Sequence, residues 1–186
     1  MADLALFLRG TWTVERTMLD RSSGARGSFS GTVVFEDADD GAALLQREHG
    51  TVRWGDHEGP ASREYVWRPG DNPNTMDVFF PDGRFFHPVR LGGTDSGPSD
   101  AADSEPAGWH AEHWCDPDRY RVTYAALGPD EFRYEWDVTG PAKDLLLTSL
   151  LRRALHGDPT PGWTLPLTRG HLPPGEGSAL PQTPLL

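Results

Sequence analysis

The sequence contains very little cysteine and little basic charge, and each shortage excludes a class of protein. Cys115 is the only cysteine in 186 residues, so no internal disulfide can form. Lysine and arginine number 17 against 28 aspartates and glutamates, which gives a formal net charge of −11. Binding to nucleic acid or to an anionic membrane needs a basic face, which this balance disfavours. We therefore expect neither partner.

Long apolar runs are also absent. No apolar run approaches the ~20 residues that a membrane-spanning helix needs. The N-terminal sequence MADLALFLRGTW lacks the basic region and the cleavage site of a signal peptide. Together with the single cysteine, these features favour a cytoplasmic location. The sequence gives no indication of the oligomeric state.

What the chain does contain is an alternation of apolar and polar residues with a period of two, which is typical of strands. Turn sequences such as Pro81-Asp82-Gly83 separate the alternating segments. Strands are predicted over residues 11–20, 28–36, 43–51, 62–68, 75–80, 84–91, 109–115, 119–124 and 131–138. Residues 144–154 fit either a closing strand or a short helix. Regular turn-separated strands predict an all-β sandwich or barrel.

The length of the chain suits one domain followed by a tail. Residues 1–156 are predicted to form the β domain, with a flexible acidic loop at 92–108 that is rich in Gly, Ser, Asp and Pro. Residues 157–186 contain seven prolines and five glycines, so this tail should be extended or disordered. Because proline-rich tails can dock as extended ligands, one hypothesis is a structural or interaction module that uses the tail.

The sequence Gly10-x-Trp12, just before the first strand, resembles the signature of the lipocalin (calycin) superfamily. In that superfamily the tryptophan plugs the closed end of the barrel, and a basic side chain from the last strand packs across its ring. Lys143, Arg152 or Arg153 could supply that side chain here. The resemblance implies an antiparallel up-and-down barrel of about 8–10 strands, with room for one small ligand.

A second resemblance covers roughly residues 6–148. The segments FLRGTW, REYVW, VFFPDGRFFH, HWCDPDRYRVTY and WDVTGPAKD look like an uncharacterised bacterial family, domain of unknown function 6314. This resemblance implies the same lipocalin-like barrel and no established activity. The acidic loop and the tail lie outside its pattern.

Several polar side chains lie on the predicted inward faces of the strands. The predicted ligand-binding residues are Arg16, Glu48, Arg63, Tyr65, Trp67, Tyr120, Tyr124 and Tyr134. Buried charges are costly unless they are paired. Two arginines and one carboxylate therefore imply either an ion-paired network around Glu48 or an anionic ligand group that completes it. The first hypothesis is a small-molecule-binding barrel with a polar-lined cavity, whose ligand carries an anionic group.

His87 and His113 come from two different strands, and His87 shares its predicted face with Phe85 and Val89. A histidine in a partly dry cavity can titrate near neutral pH and move protons. An alternative hypothesis is therefore an enzyme of the isomerase or cyclase type, with both histidines as its acid–base pair. Each could equally be a neutral core histidine, so whether the chain is an enzyme stays open.

No metal site and no cofactor is predicted. Cys115 shares the inward face with His113, but same-face neighbours lie ~7 Å apart along a strand. That distance excludes a direct nucleophile–base contact, so Cys115 is predicted to be a packing residue. A zinc site from His87, His113, Cys115 and Glu48 remains an alternative. Because some calycin-like barrels bind haem through one histidine, the first resemblance leaves haem as another.

Overall fold

The computed structural model describes residues 3–90 and 109–154, which form ten strands and two short helical segments. The helix α1 is Leu4–Leu8, and a 3-10 turn covers Asp39–Gly41. The strands are β1 Gly10–Asp20, β2 Arg26–Ala38, β3 Ala43–Trp54, β4 His57–Pro69, β5 Thr75–Phe79, β6 Phe85–Arg90, β7 Trp109–Cys115, β8 Asp118–Gly128, β9 Glu131–Gly140 and β10 Lys143–Arg153. The predicted acidic loop at 92–108 and the tail at 157–186 lie outside the described residues.

All ten strands belong to one antiparallel sheet in the order β6-β5-β4-β3-β2-β1-β10-β9-β8-β7. Strand β1 pairs with β2 and with β10, so Trp12 lies between Val33 on one side and Arg153 on the other. The first and last strands are thus neighbours in the middle of the sheet, and the sheet curls so that its edge strands β6 and β7 nearly meet to close a barrel. The predicted all-β, up-and-down architecture of about 8–10 strands is therefore confirmed, and the ambiguous segment 144–154 lies in a strand.

The barrel is not closed by a hydrogen-bonded ladder between β6 and β7, the two ends of the strand order in the described chain. Pro88 in the middle of β6 has no N–H to donate, and its carbonyl oxygen lies 2.8 Å from Nδ1 of His87. Side chains cross this seam instead: the Phe86 and His113 rings pack edge to face, with centroids 5.1 Å apart. Strand β6 is thus held by a ladder on one side only, to β5.

The end of the barrel next to α1 is closed by Trp12, which is fully buried. Its ring packs against those of Phe7 and Phe132, with centroids 5.4 and 4.9 Å away, and its indole N–H donates to the Leu8 carbonyl at 2.6 Å. The Arg153 guanidinium lies over the ring at 4.2 Å and donates to the Phe7 and Arg9 carbonyls, where α1 ends. Arg153 therefore joins the last strand, the helix and the tryptophan.

The two other basic candidates for this role, Lys143 and Arg152, lie elsewhere. Arg152 is on the outer face, where it pairs with Glu131 at 2.9 Å. Lys143 lies at the start of β10, the end opposite Arg153, and pairs with Asp118 at 2.7 Å. Its ammonium also donates to the Tyr120 hydroxyl at 3.0 Å. Adjacent positions on a strand face opposite sides, which is why Arg153 reaches Trp12 and Arg152 does not.

The inward faces follow the predicted alternation except in β6. Val78 pairs with His87 and Phe79 pairs with Phe85, which leaves Phe86 as an extra residue in a β-bulge. The bulge turns Phe86 and His87 inward together, and both are buried. Phe85 is 50% exposed, so the prediction that it shares the inward face with His87 is wrong.

No helix among residues 3–90 and 109–154 has both the length and the apolar character needed to cross a membrane.

Candidate functional site

A cavity of about 20 Å³ lies inside the barrel, which is room for roughly one ordered water molecule or for a group of similar size. Its wall mixes aromatic rings with a few polar groups. The lining residues are Phe35, Gln46, Arg63, Tyr65, Trp67, Val78, Phe86, His87, Tyr124, Phe132, Tyr134, Trp136 and Leu151. They come from eight strands, and two of them belong to β6.

The predicted site residues divide into those that line this cavity and those that do not. Arg63, Tyr65, Trp67, His87, Tyr124 and Tyr134 are in the wall. Arg16 and Glu48 are buried behind it and are connected to it by hydrogen bonds. Tyr120 and His113 are not in the wall.

Glu48 is the centre of a buried ion-paired network, which is one of the two arrangements that the charge count implied. The Arg16 guanidinium holds both of its carboxylate oxygens, at 2.9 and 2.8 Å, in a bidentate pair. Arg63 on β4 lies directly opposite Glu48 in the β3–β4 register and donates to the same carboxylate at 2.9 Å. Burial opposes the charge on Glu48, but the two arginines outweigh it and keep the pKa of that carboxyl below its ordinary value.

This network carries one positive charge in excess, because two guanidiniums share a single carboxylate. No other carboxylate in the described chain pairs with either arginine. Burial opposes the charge on Arg63 as well, yet Glu48 beside it keeps the pKa of that guanidinium well above its ordinary value. Nε of Arg63 is buried and has no acceptor among the described residues. A permanent cation with an unused donor therefore lines the cavity.

Arg16 lies beneath the cavity wall and is 98% buried as a residue. Its Nε donates to Ser149 at 2.7 Å, and its guanidinium stacks over the Phe29 ring at 5.0 Å. A Cβ at Gly50 would come within 2.6 Å of that ring, so glycine there lets Phe29 lie under the arginine. Nε, Nη1 and Nη2 of Arg16 thus all donate to protein groups, namely Ser149, Glu48 and Tyr134.

The Tyr134 hydroxyl joins the network from the opposite wall. Its oxygen accepts hydrogen bonds from Nη2 of Arg16 and from Nη2 of Arg63, both at 2.7 Å. Guanidiniums only donate, so the phenolic proton is not used in either contact. No described residue accepts it, which makes the Tyr134 hydroxyl a second free donor beside Arg63.

Gln46 and Trp136 are wall residues that were not among the predicted ligand-binding set. Gln46 accepts a hydrogen bond from the Trp67 indole at 2.7 Å, and its amide group forms no other bond within the described chain. Trp136 stacks on Phe86 with centroids 5.2 Å apart. The alternation in β3 and β9 already placed Gln46 and Trp136 on inward faces. Alternation did not place Phe86 on the inward face, because the bulge changes the alternation in β6.

His87 is 98% buried and lines the cavity, whereas His113 is half-buried at the seam. Phe86 packs against both imidazoles, with centroids 4.6 and 5.1 Å away. Burial lowers the pKa of His87 to about 4; the Pro88 carbonyl opposes this shift, and charge on His113 adds to it. His87 is therefore neutral at pH 7 and is not the imidazolium that a general acid requires.

The low pKa of His87 predicts a pH dependence of stability. In the unfolded chain the imidazole binds a proton near pH 6.5, but in the folded protein only near pH 4. The unfolded state thus gains protons first as the pH falls, so the free energy of unfolding should drop by about 2 kcal/mol between pH 7 and pH 5. Replacing His87 by phenylalanine should remove this component, as measured by urea unfolding at both pH values.

Between pH 5 and pH 7 the change in the free energy of unfolding reports His87 and not the buried carboxylate of Glu48. The lowered pKa of Glu48 costs stability only as the pH falls below the ordinary carboxyl range. His113, the neighbouring residue across the seam, is the same in both proteins, so its contribution cancels in the comparison. An equal loss of stability in the wild type and in His87→Phe would contradict the assignment.

Cys115 is exposed, so its prediction as an inward packing residue is wrong. It is the last residue of β7 and pairs with Asp118 at the tip of the hairpin, where the strand extends past the packed interior. The zinc alternative built on His87, His113, Cys115 and Glu48 is therefore not assembled. Within residues 3–90 and 109–154 no three metal-ligating side chains come together.

Similar architectures occur among solved structures. The S-type phycobiliprotein lyase CPES from Guillardia theta is 11% identical, with 82% of this chain and 91% of that chain covered and a TM-score of 0.49. A de novo designed fluorescence-activating β-barrel is 15% identical, with 83% and 100% covered and a TM-score of 0.43. A protein of unknown function from Nostoc punctiforme, of the DUF3598 family, is 9% identical, with 83% and 51% covered and a TM-score of 0.40. Likenesses this weak carry no argument about function.

The family assignment comes from the sequence itself. None of the curated proteins that were compared matches the chain. The profile of one family, described as a family of unknown function, matches residues 8–153, from the end of α1 to the end of β10. Because this match includes all ten strands and most of the chain, the protein belongs to the family of unknown function DUF6314.

Proposed function

We propose that the protein binds a small molecule inside its barrel and holds an anionic group of that molecule at Arg63. The observation that carries the proposal is the excess positive charge of the Arg16–Glu48–Arg63 network, with Nε of Arg63 buried and without an acceptor among the described residues. An uncompensated buried charge is costly, and an anionic group would both neutralise it and accept the free hydrogen bond.

The chemistry of the wall supports a carboxylate as the anionic group. Arginine presents a planar fork of donors that matches the two oxygens of a carboxylate. The Tyr134 hydroxyl, with its proton unused, lies within hydrogen-bond distance of Nη2 of Arg63 and offers a further donor to the same oxygens. The rings of Trp67, Tyr124 and Trp136 would surround the apolar remainder of the ligand.

The size of the cavity limits what can bind without a change in the barrel. About 20 Å³ is room for a group of about the size of a water molecule, such as one carboxylate oxygen, and not for the rest of the ligand. Strand β6 is the wall segment that a ladder holds on one side only, and it contributes Phe86 and His87 to the wall. Movement of β6 away from β7 is therefore the route by which a larger ligand would be admitted.

Calorimetric titration with benzoate and benzamide tests the proposal, because the two molecules share their shape and differ in charge. We expect benzoate to bind at least ten-fold more tightly than benzamide at pH 7. Replacing Arg63 by methionine should weaken benzoate binding by about 10–100-fold, which corresponds to the loss of a charge-assisted hydrogen bond. It should leave benzamide binding nearly unchanged.

The matched control is Arg47→Met, which removes an arginine from the outer face of the neighbouring strand β3. Arg47 is half-exposed and pairs with Glu36 and Glu64, so benzoate binding should be unaffected. Acetate serves as the probe for the head group alone. The proposal fails if neither acetate nor benzoate binds, or if Arg63→Met preserves the preference for benzoate.

A further inference from the structure

His87 presents a hydrogen-bond acceptor to the cavity, and the tautomer of its ring follows from one contact. Nδ1 lies 2.8 Å from the Pro88 carbonyl oxygen, which can only accept. The hydrogen of the neutral imidazole is therefore on Nδ1. Nε2 is left with a lone pair and no hydrogen.

The acceptor on Nε2 has no hydrogen-bond partner among the described residues, and the imidazole lines the cavity. The rings packed against the imidazole are those of Phe86, Tyr124 and Trp136, and His113 across the seam interacts with it only through charge. None of them donates to Nε2. An acceptor that lines a cavity without a protein partner favours a bound molecule that can donate to it.

The wall therefore presents hydrogen-bond donors on some strands and an acceptor on another. Arg63 and Tyr134, on β4 and β9, offer donors, whereas His87 on β6 offers an acceptor. We infer that the ligand of this site carries an O–H or N–H group that donates to Nε2 of His87, in addition to the anionic group held at Arg63. The ligand class is a hydroxy- or amino-substituted carboxylic acid with an apolar, preferably planar body.

This inference rests on the proposed function and makes the site more specific. Burial lowers the pKa of His87 to about 4, so the acceptor character persists throughout the neutral range. A ligand with the anionic group alone would leave Nε2 unsatisfied. A ligand with a methyl group in place of the donor would also place an apolar surface against Nε2. Selection should thus be strongest between hydroxyl and methyl analogues of one carboxylate.

The test compares the three hydroxybenzoates with the three methylbenzoates by calorimetric titration at pH 7. In the wild type we expect at least one hydroxy isomer to bind about 5–100-fold more tightly than its methyl counterpart, the range for satisfying a buried acceptor. In His87→Phe, which keeps a flat ring without the acceptor, the two should bind within about two-fold of one another. In His87→Gln, whose amide oxygen accepts, part of the preference should return.

The matched control is His110→Phe, since His110 is exposed on the outer face of β7 and should leave the preference unchanged. The inference is overturned if no hydroxy isomer is preferred in the wild type, or if the preference survives in His87→Phe. Its failure differs from failure of the proposed function. If only the inference fails, benzoate still binds and its binding still depends on Arg63. If the proposed function fails, benzoate binding does not depend on Arg63.

Discussion

Replacing Glu48 by glutamine is expected to lower the free energy of unfolding by about 3–5 kcal/mol. Glutamine keeps the shape of the side chain but leaves Arg16 and Arg63 as two buried cations without a counter-ion. Arg16 is the more affected, because its bidentate pair with Glu48 is almost completely buried, at 2% and 3% side-chain exposure. Urea unfolding followed by far-UV circular dichroism measures the change as a shift of the midpoint.

The matched control for this prediction lies on the same two strands. Arg47 and Glu64 are also direct neighbours in the β3–β4 register, but on the outer face, where both are about half exposed. Glu64→Gln should cost less than about 1 kcal/mol, since water screens the pair. If Glu48→Gln and Glu64→Gln shift the midpoint equally, the buried network is not shielded from solvent.

The size of that expected effect does not mean that the network stabilises the barrel. Breaking a buried pair is costly because an uncompensated charge remains, whereas replacing the whole group by apolar residues is often neutral. By that reasoning, a variant with well-packed apolar residues in place of Arg16, Glu48 and Arg63 would be as stable as the wild type. The excess positive charge therefore has no explanation in stability, and this is why the proposed function is built on it.

Alternation along the strands predicted most of the inward-facing residues. It placed Arg16, Glu48, Arg63 and Tyr134 on inward faces, and the cost of buried charge then implied their pairing or a ligand. Which atoms pair could not be predicted, because that depends on register. Glu48 lies opposite Arg63 in one ladder, while Arg16 reaches Glu48 across β2. Register is set by the turns and by the packing of the whole sheet.

Three features of the site lacked a signal in the alternation. The bulge at Phe86 shifts the parity of β6 by one residue, so Phe85 and Phe86 exchange faces. The helix α1 has five residues, too few for a helical period to be visible. Cys115 keeps the inward parity but lies at the tip of a hairpin, where parity no longer implies burial.

The second large effect is expected at the closed end of the barrel, where replacing Trp12 by alanine should cost about 3–5 kcal/mol. The truncation leaves a void among Phe7, Phe132 and Arg153, which pack on the indole. It also removes the donor for the Leu8 carbonyl. Because native domains are stable by only about 5–15 kcal/mol, the variant should fold with a much lower urea midpoint.

Trp114→Ala is the matched control for this prediction, because Trp114 is 64% exposed on β7 and its removal should change stability by less than about 1 kcal/mol. Both variants lose one of the seven tryptophans, so unfolding is best followed by far-UV circular dichroism rather than by fluorescence. Equal midpoints for the two variants would mean that Trp12 does not close the barrel. A large loss confined to Trp12→Ala would mean that the Gly10-x-Trp12 sequence acts here as the resemblance to lipocalins implies, with Arg153 of the last strand as the cation over its ring.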